Sequence, residues 1–196
     1  MPLIIKPSSG SGSATLVSVT GTTTNDTLTL PAKTGNIITS ADSGTVTQTM
    51  LSTNVAGNGP CFRAYQSSGT SINNTTFTKI LFDTEVFDTN NNLASSTFTP
   101  TVAGYYYVTV IVRLPGSMAN KSIAPYIFKN GSSYQGIEGV VGGDTSDASM
   151  ANSAIVYCNG STDYIEFYVW QNSGGAKTTV TGATNTSFSG FMVRSA

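Results

Sequence analysis

The sequence predicts an all-β protein built as two packed antiparallel sheets, and three observations carry that expectation. No stretch of useful length repeats its apolar residues at the 3.6-residue period of a helix. Apolar and polar residues instead alternate in short runs, each closed by Gly, Asn or Pro. The longest run, Tyr105 to Leu114, is ten residues of mostly β-branched and aromatic side chains. Such residues suit a pleated, half-buried surface, and many short strands of this kind build sandwiches.

Taken in order, residues 1–59 differ from the remainder. Between Pro7 and Gly59 the only charged residues are Asp26, Lys33 and Asp42. Ser8 to Ser13 has the composition of a flexible linker. Short alternating pieces follow at Leu16–Val19, Thr27–Leu30 and Asn36–Thr39, punctuated by Gly21, Pro31–Gly35 and Asp42–Gly44. Each piece is too short to build a core alone. Residues 1–59 are therefore expected to be a β-rich extension, ordered by symmetry mates or by docking on a larger particle.

Residues 60–196 are expected to form the sandwich. Strands are read at Cys61–Gln66, Thr76–Phe82, Glu85–Phe87 and Thr97–Phe98, with a turn over Gly69–Asn74 and a loop at Asn90–Asn92. Pro100 and Gly104 are expected to make the corner feeding the long strand. In that strand, period two puts Tyr106, Val108, Val110, Val112 and Leu114 on a core face. Tyr105, Tyr107, Thr109, Ile111 and Arg113 fall on the other. After Pro115–Gly116 come Ser122–Lys129, a two-residue hairpin turn at Asn130–Gly131, and Ser133–Val141. Gly142 to Ala148 is a polar loop; Met150–Cys158, Tyr164–Gln171 and Phe188–Arg194 complete the set. In the penultimate strand Ile165, Phe167 and Val169 should enter the core. Tyr164, Glu166, Tyr168 and Trp170 should face away.

Composition narrows function. Of 196 residues only 10% are charged, and the net charge is −1, so neither a nucleic-acid footprint nor a basic membrane patch is expected. No apolar run is long enough to span a bilayer. Met1 to Pro7 lacks the length and order of a secretory signal, so synthesis in a cytoplasm without export by that route is expected. Cys61 and Cys158 are read as two free thiols, too few for a disulfide scaffold. The chain has no histidine, which removes the commonest general base and most zinc sites. Asp83 and Glu85 read as a solvated edge before they read as a glycosidase pair. No enzyme activity, cofactor or metal is therefore expected. Asp144 and Asp147 offer hard oxygen ligands, yet two carboxylates in a glycine-rich loop read more simply as an exposed loop.

Several motifs carry resemblances. Phe98-x-Pro100 followed by Ala103-Gly104-x-Tyr106 resembles the signature of the globular head of complement's first component, a close relative of the tumour-necrosis-factor jelly roll. Lys79–Asn91 is similar to that family's first hairpin and Phe128–Gly131 to its central strand and turn. Asp163–Phe167 is similar to a later strand, and Phe188–Phe191 to the closing one. The motifs occur in the family's order over about residues 60–196. Ser161–Thr162 stand where the family usually has glycine before the aspartate. The resemblance implies a two-sheet antiparallel jelly roll and a homotrimer with flat aromatic subunit contacts, here Tyr105, Tyr107, Tyr164, Tyr168 and Trp170. A row of outward aromatics also suits a sugar platform; the interface reading is preferred.

Thr27–Asp42 and Gly44–Met50 resemble the N-terminal regions of tailed-bacteriophage fibre and virion structural proteins. That implies a virion protein, made in the host cytoplasm, whose residues 1–59 dock on other virion proteins. The expected function is a short trimeric fibre displaying its head to a host-surface glycan or envelope component. The loop Gly142, Gly143, Asp144, Thr145, Ser146 and Asp147 is the candidate receptor-binding element. The alternative is a capsid decoration or head-fibre protein that binds no receptor.

Overall fold

The computed structural model describes residues 15–17, 27–29, 59–116, 118–143 and 147–196. The chain falls into two units, Met1–Thr47 and Gln48–Ala196. In the first, β1 (Thr15–Val17) and β2 (Thr27–Thr29) pair antiparallel with Leu16 opposite Leu28. The other expected pieces of the extension, Asn36–Thr39 among them, lie outside the described residues.

In the second unit every regular element among the described residues is a strand. The first seven are β3 (Cys61–Tyr65), β4 (Ser71–Ile72), β5 (Thr78–Lys79), β6 (Thr84–Asp88), β7 (Leu93–Ala94), β8 (Thr97–Phe98) and β9 (Ala103–Leu114). The rest are β10 (Ser122–Lys129), β11 (Ser132–Gly136), β12 (Gly139–Val140), β13 (Ala148–Asn159), β14 (Ile165–Gln171), β15 (Lys177–Thr178) and β16 (Ser187–Ser195). One sheet has the order β13-β9-β16-β3-β6. The other runs β11-β10-β14-β8-β7, with β12 on β10 and β5 on β14, and β4 pairs with β15 apart from both. All pairs are antiparallel.

The long strand alternates as expected: Tyr106, Val108, Val110, Val112 and Leu114 are fully buried. Ile165, Phe167 and Val169 of β14 face them from the second sheet, also fully buried. Aromatic rings close the gap between the sheets. Phe62 of β3 stacks on Phe98 of β8 at 4.3 Å, and Phe167 of β14 meets Phe188 of β16 edge-on at 4.3 Å. Ring pairs at this spacing add about 1 kcal/mol each beyond the area they bury.

Three expectations are corrected. Gly104 is not a corner but an internal residue of β9. A Cβ there would lie 2.5 Å from the carbonyl oxygen of Arg194, so its missing side chain lets β16 approach. Thr76–Phe82 is not one strand, because only Thr78–Lys79 joins a ladder. Beyond it the Ile80 amide donates to the carbonyl of Phe167 and the Phe82 amide to the Ser96 hydroxyl. Ser133–Val141 divides into β11 and β12 around Ile137 and Glu138, next to a register shift between Ile127 and Phe128. The Asn130–Gly131 turn is as read, with φ of 52° and 75°, the left-handed pair that a tight hairpin requires.

The register gives the unit two distinct ends. Asn159 pairs with Ala103, Ser195 with Gly104, and the amide of Met192 donates to the carbonyl of Pro60. Chain arrival at Gly59 and the C-terminal Ala196 therefore share one end, called proximal here. Ala148 pairs with Leu114 at the other end. Gly142, Gly143 and Asp147 lie there, as do Pro115–Gly116 and Thr181–Asn185. The twelve residues of β9 separate the two ends by about 36 Å.

Candidate subunit interface

On the outer side of the five-stranded sheet, cross-strand register gathers side chains that lie far apart in sequence. Ile155, Tyr107, Phe191 and Cys61 form one row across β13, β9, β16 and β3. Tyr157 and Tyr105 form the next toward the proximal end, with ring centroids 5.4 Å apart. Tyr107 and Phe191 lie 5.6 Å apart. On the distal side of these rows stand Ser153, Thr109, Ser189, Arg63 and Phe87, a band dominated by hydroxyls. Ile155 is 55% exposed, Phe191 48% and Tyr105 43%, so nothing in the second unit's described residues covers this apolar surface.

Two hollows mark the same face. One of about 610 Å³ is lined by Tyr105, Ile155, Tyr157, Val193 and Arg194 with the last two residues of the chain. The other, of about 270 Å³, lies among Cys61, Arg63, Phe87, Tyr107 and Phe191. A monomer rarely leaves contiguous apolar patches of this kind without use.

The five aromatics grouped from the sequence divide between the two sheets. Tyr105 and Tyr107 belong to the exposed face just described. Tyr168 and Trp170 lie on the outer face of β14, on the opposite side of the sandwich, with Tyr164 just before that strand. That second face is partly roofed by the chain itself. Phe128 packs on Tyr168 at 4.2 Å, and Phe77 lies edge-on to Tyr126 at 4.8 Å and to Phe128 at 5.9 Å. Glu166, opposite Phe128 in the ladder, accepts hydrogen bonds from Lys79 at 2.7 Å and from the Thr97 hydroxyl at 3.2 Å. Ile155, Tyr157 and Phe191 were missed from the sequence. Each is an outward residue of an alternating strand, which was legible; their convergence depends on register, which was not.

In the candidate loop, Gly142 and Gly143 are exposed, with open space around both. Asp144, Thr145 and Ser146 lie outside the described residues. Asp147 is already engaged: its carboxylate accepts from Arg113 Nε at 3.0 Å and from the Gly116 amide at 2.8 Å. Among the described residues no three Asp, Glu or Cys side chains cluster as a metal site would require.

The thiols are unpaired. Cys158 is buried, and burial pushes its thiol up to about 12. Cys61 is half-buried; desolvation and the nearby Asp88 charge both raise it. Asp83 is held down to about 2, chiefly by the backbone amide of Ser67. Asp163 is likewise lowered, first by the Asn130 carboxamide and then by Lys129, whose Nζ lies 2.9 Å away.

No protein-family model matches the chain, and no curated protein matches it in sequence. Solved structures do. Murine APRIL at pH 5.0 superposes with a TM-score of 0.54 at 9% identity, over 68% of this chain and 98% of that one. The Eiger TNF of S. frugiperda superposes with a TM-score of 0.50 at 10% identity, over 70% and 92%. The fold is a jelly roll of the tumour-necrosis-factor type. PRD1 vertex protein P5 matches at 16% identity with a TM-score of 0.49, over 69% of this chain and 97% of that one.

Proposed function

We propose that the chain is a homotrimeric virion structural protein of a tailed bacteriophage, a short fibre whose jelly-roll head is displayed for binding to a host surface. The observation that carries this reading is the uncovered apolar face of β13-β9-β16-β3, in a unit where Gly59 and the segments at Gly116, Asp147 and Asn185 lie at opposite ends. A threefold assembly would bury that face, consistent with the subunit contacts implied by the resemblance to the complement head. Tyr105 and Tyr107 would take part, joined by Ile155, Tyr157 and Phe191. Threefold contacts are heterologous, so this face would meet a different surface of the next copy.

Within the second unit, Gly116, Asp147 and Asn185 lie at the end away from Gly59. Three copies of each loop then act together, which raises apparent affinity without strong single contacts. The virion assignment rests on the likeness of Thr27–Met50 to phage fibre proteins. Docking of residues 1–59 on other virion proteins, and a glycan or envelope component as the host ligand, belong to the same proposal. The role proposed is non-enzymatic. In support, burial keeps Cys158 protonated at neutral pH, and the Asp83 carboxylate is committed to the amides and hydroxyl of Ser67 and Ser68.

Gold-labelled antibody raised against the protein, applied to intact phage particles under the electron microscope, tests the reading. Label at the tail or baseplate is expected. Label spread over the capsid shell would replace adsorption by the decoration role. Absence of label from every particle would overturn the virion assignment and leave the jelly roll alone.

A further inference from the structure

We propose that the outer face of β13-β9-β16-β3 receives the β11–β12 edge of the next copy, with Glu138 of that edge paired to Arg63 of the face; the proposal rests on the trimer reading above. β11 joins its sheet through β10 alone, which leaves its other side an open edge among the described residues. Tyr134 is 49% exposed there, Ile137 47% and Val140 70%. An open edge with apolar side chains is a place where another chain docks. Glu138 is the only charged residue between Ser132 and Val140.

Height along the sandwich decides which surfaces can meet. Three copies that bring Gly59 to one common end are related by an axis running along the strands, and rotation about it leaves every residue at its own height. The Tyr134 hydroxyl donates to the carbonyl of Ile155 at 3.0 Å, so Tyr134 stands level with the row of Tyr107, Phe191 and Cys61. That row borders the hollow of about 270 Å³, which the Tyr134 ring of a neighbour would enter. The Ile137 amide donates to the carbonyl of Pro125, which also accepts from the Asn152 side chain. Glu138 therefore stands about 7 Å distal of the row that holds Ser153 and Arg63. The Arg63 side chain makes up that difference, because its Nη2 reaches distally to the carbonyl of Ala183 at 3.1 Å.

Charge selects the same pair. Arg63 is the only charged residue in the row of Ser153, Thr109, Ser189 and Phe87, and it has no anionic partner among the described residues. Asp83, Asp88, Asp147, Asp163 and Glu166 are each engaged within the chain. Glu138 has no hydrogen-bond or ion-pair partner among the described residues, and Glu85 lies on β6, beside the strand of Arg63 itself. A cation on an apolar face and an anion on an apolar edge fix the register in which two such surfaces meet.

Sedimentation of the full chain over a dilution series, comparing wild type with Arg63→Glu, Glu138→Arg and the double exchange, tests the contact. Wild type should be a trimer. Each single reversal places like charges together and should weaken association at least about tenfold, and the double exchange should return it to within about threefold of wild type. A second measurement does not depend on affinity. With Cys61→Ser in the background, Arg63→Cys combined with Glu138→Cys should give a covalent trimer with a short bismaleimide, whereas either new cysteine alone can link only two chains. Cys158 is fully buried. Within one copy β16 and β9 lie between β3 and β13, a span of about 14 Å before β11 is reached, so the reagent cannot close inside a chain. Unchanged association in the single reversals, failure of the exchange to rescue, or absence of the covalent trimer would each overturn the proposal and leave the trimer reading standing. A monomeric wild type would remove the trimer and this contact with it.

Discussion

Asp163 and Asp83 show how single carboxylates make this neutral-surfaced chain sensitive to acid. Asp163 accepts from the Asn130 side chain at 2.7 Å and from the Asn159 amide at 3.1 Å, beside the Lys129 ammonium. Each contact favours the charged form, so the folded pKa lies below the unfolded value of about 3.9. For a lowered carboxylate the stabilisation is complete above the unfolded pKa and is lost as pH falls through the folded one. Asp83, held at about 2, places its own share of the loss between about pH 4 and about pH 2. Denaturant titrations from pH 7 to pH 2 should therefore show Asp163→Asn less stable than wild type at neutrality, with the gap closing on acidification. Parallel curves for the two proteins would show that Asp163 carries no such linkage.

At the scale of elements, the β7–β8 hairpin is the least expected feature. Its two turn residues, Ser95 and Ser96, have φ of 48° and 59°, a left-handed pair usually given to Asn and Gly. Ser96 has a reason to be there, since its buried hydroxyl accepts from the Phe82 amide at 2.7 Å. Ser95 is exposed, and only its backbone carbonyl is engaged, by Lys79 and by the Thr97 hydroxyl. Ser95→Asn should then stabilise the protein by about 0.5–1 kcal/mol, read as a higher denaturant midpoint at unchanged slope. A lower midpoint would mean that the serine side chain matters in a way the geometry does not reveal.

The same contrast explains what was legible beforehand. β9, β10, β14 and the Asn130–Gly131 turn were read closely because alternation and turn chemistry are local properties. The two-residue strands β4, β5, β12 and β15 were not, because they exist only where a distant segment supplies a partner. Asn152 is the clearest case. It sits among apolar neighbours on β13, yet its carboxamide donates to the carbonyls of Pro125 and Gln135 and accepts from the Gln135 side chain. Those contacts tie β13 to β10 and β11, and no pattern near residue 152 announces them.

For the whole molecule, the decisive question is what covers the outer face of the five-stranded sheet. The outward half of that face was legible on β9, while its breadth was not, because Phe191 and Ile155 join it only through register. Ile155 offers a clean probe. It is more than half exposed in the single chain, so Ile155→Asp should leave the fold within about 0.5 kcal/mol of wild type. In a threefold assembly the same change would put an unpaired carboxylate at a dry contact, which is strongly unfavourable. Sedimentation should accordingly report a trimer for wild type and a monomer of unchanged circular dichroism for Ile155→Asp. Cys61 reports on the same face, in the row of Tyr107 and Phe191. Its alkylation by iodoacetamide should be slow in the wild-type assembly and faster in the variant. Cys158, fully buried, should react in neither until denaturant is added. A variant that sediments as wild type does, with Cys61 equally protected, would show that Ile155 lies outside the contact between copies of this chain.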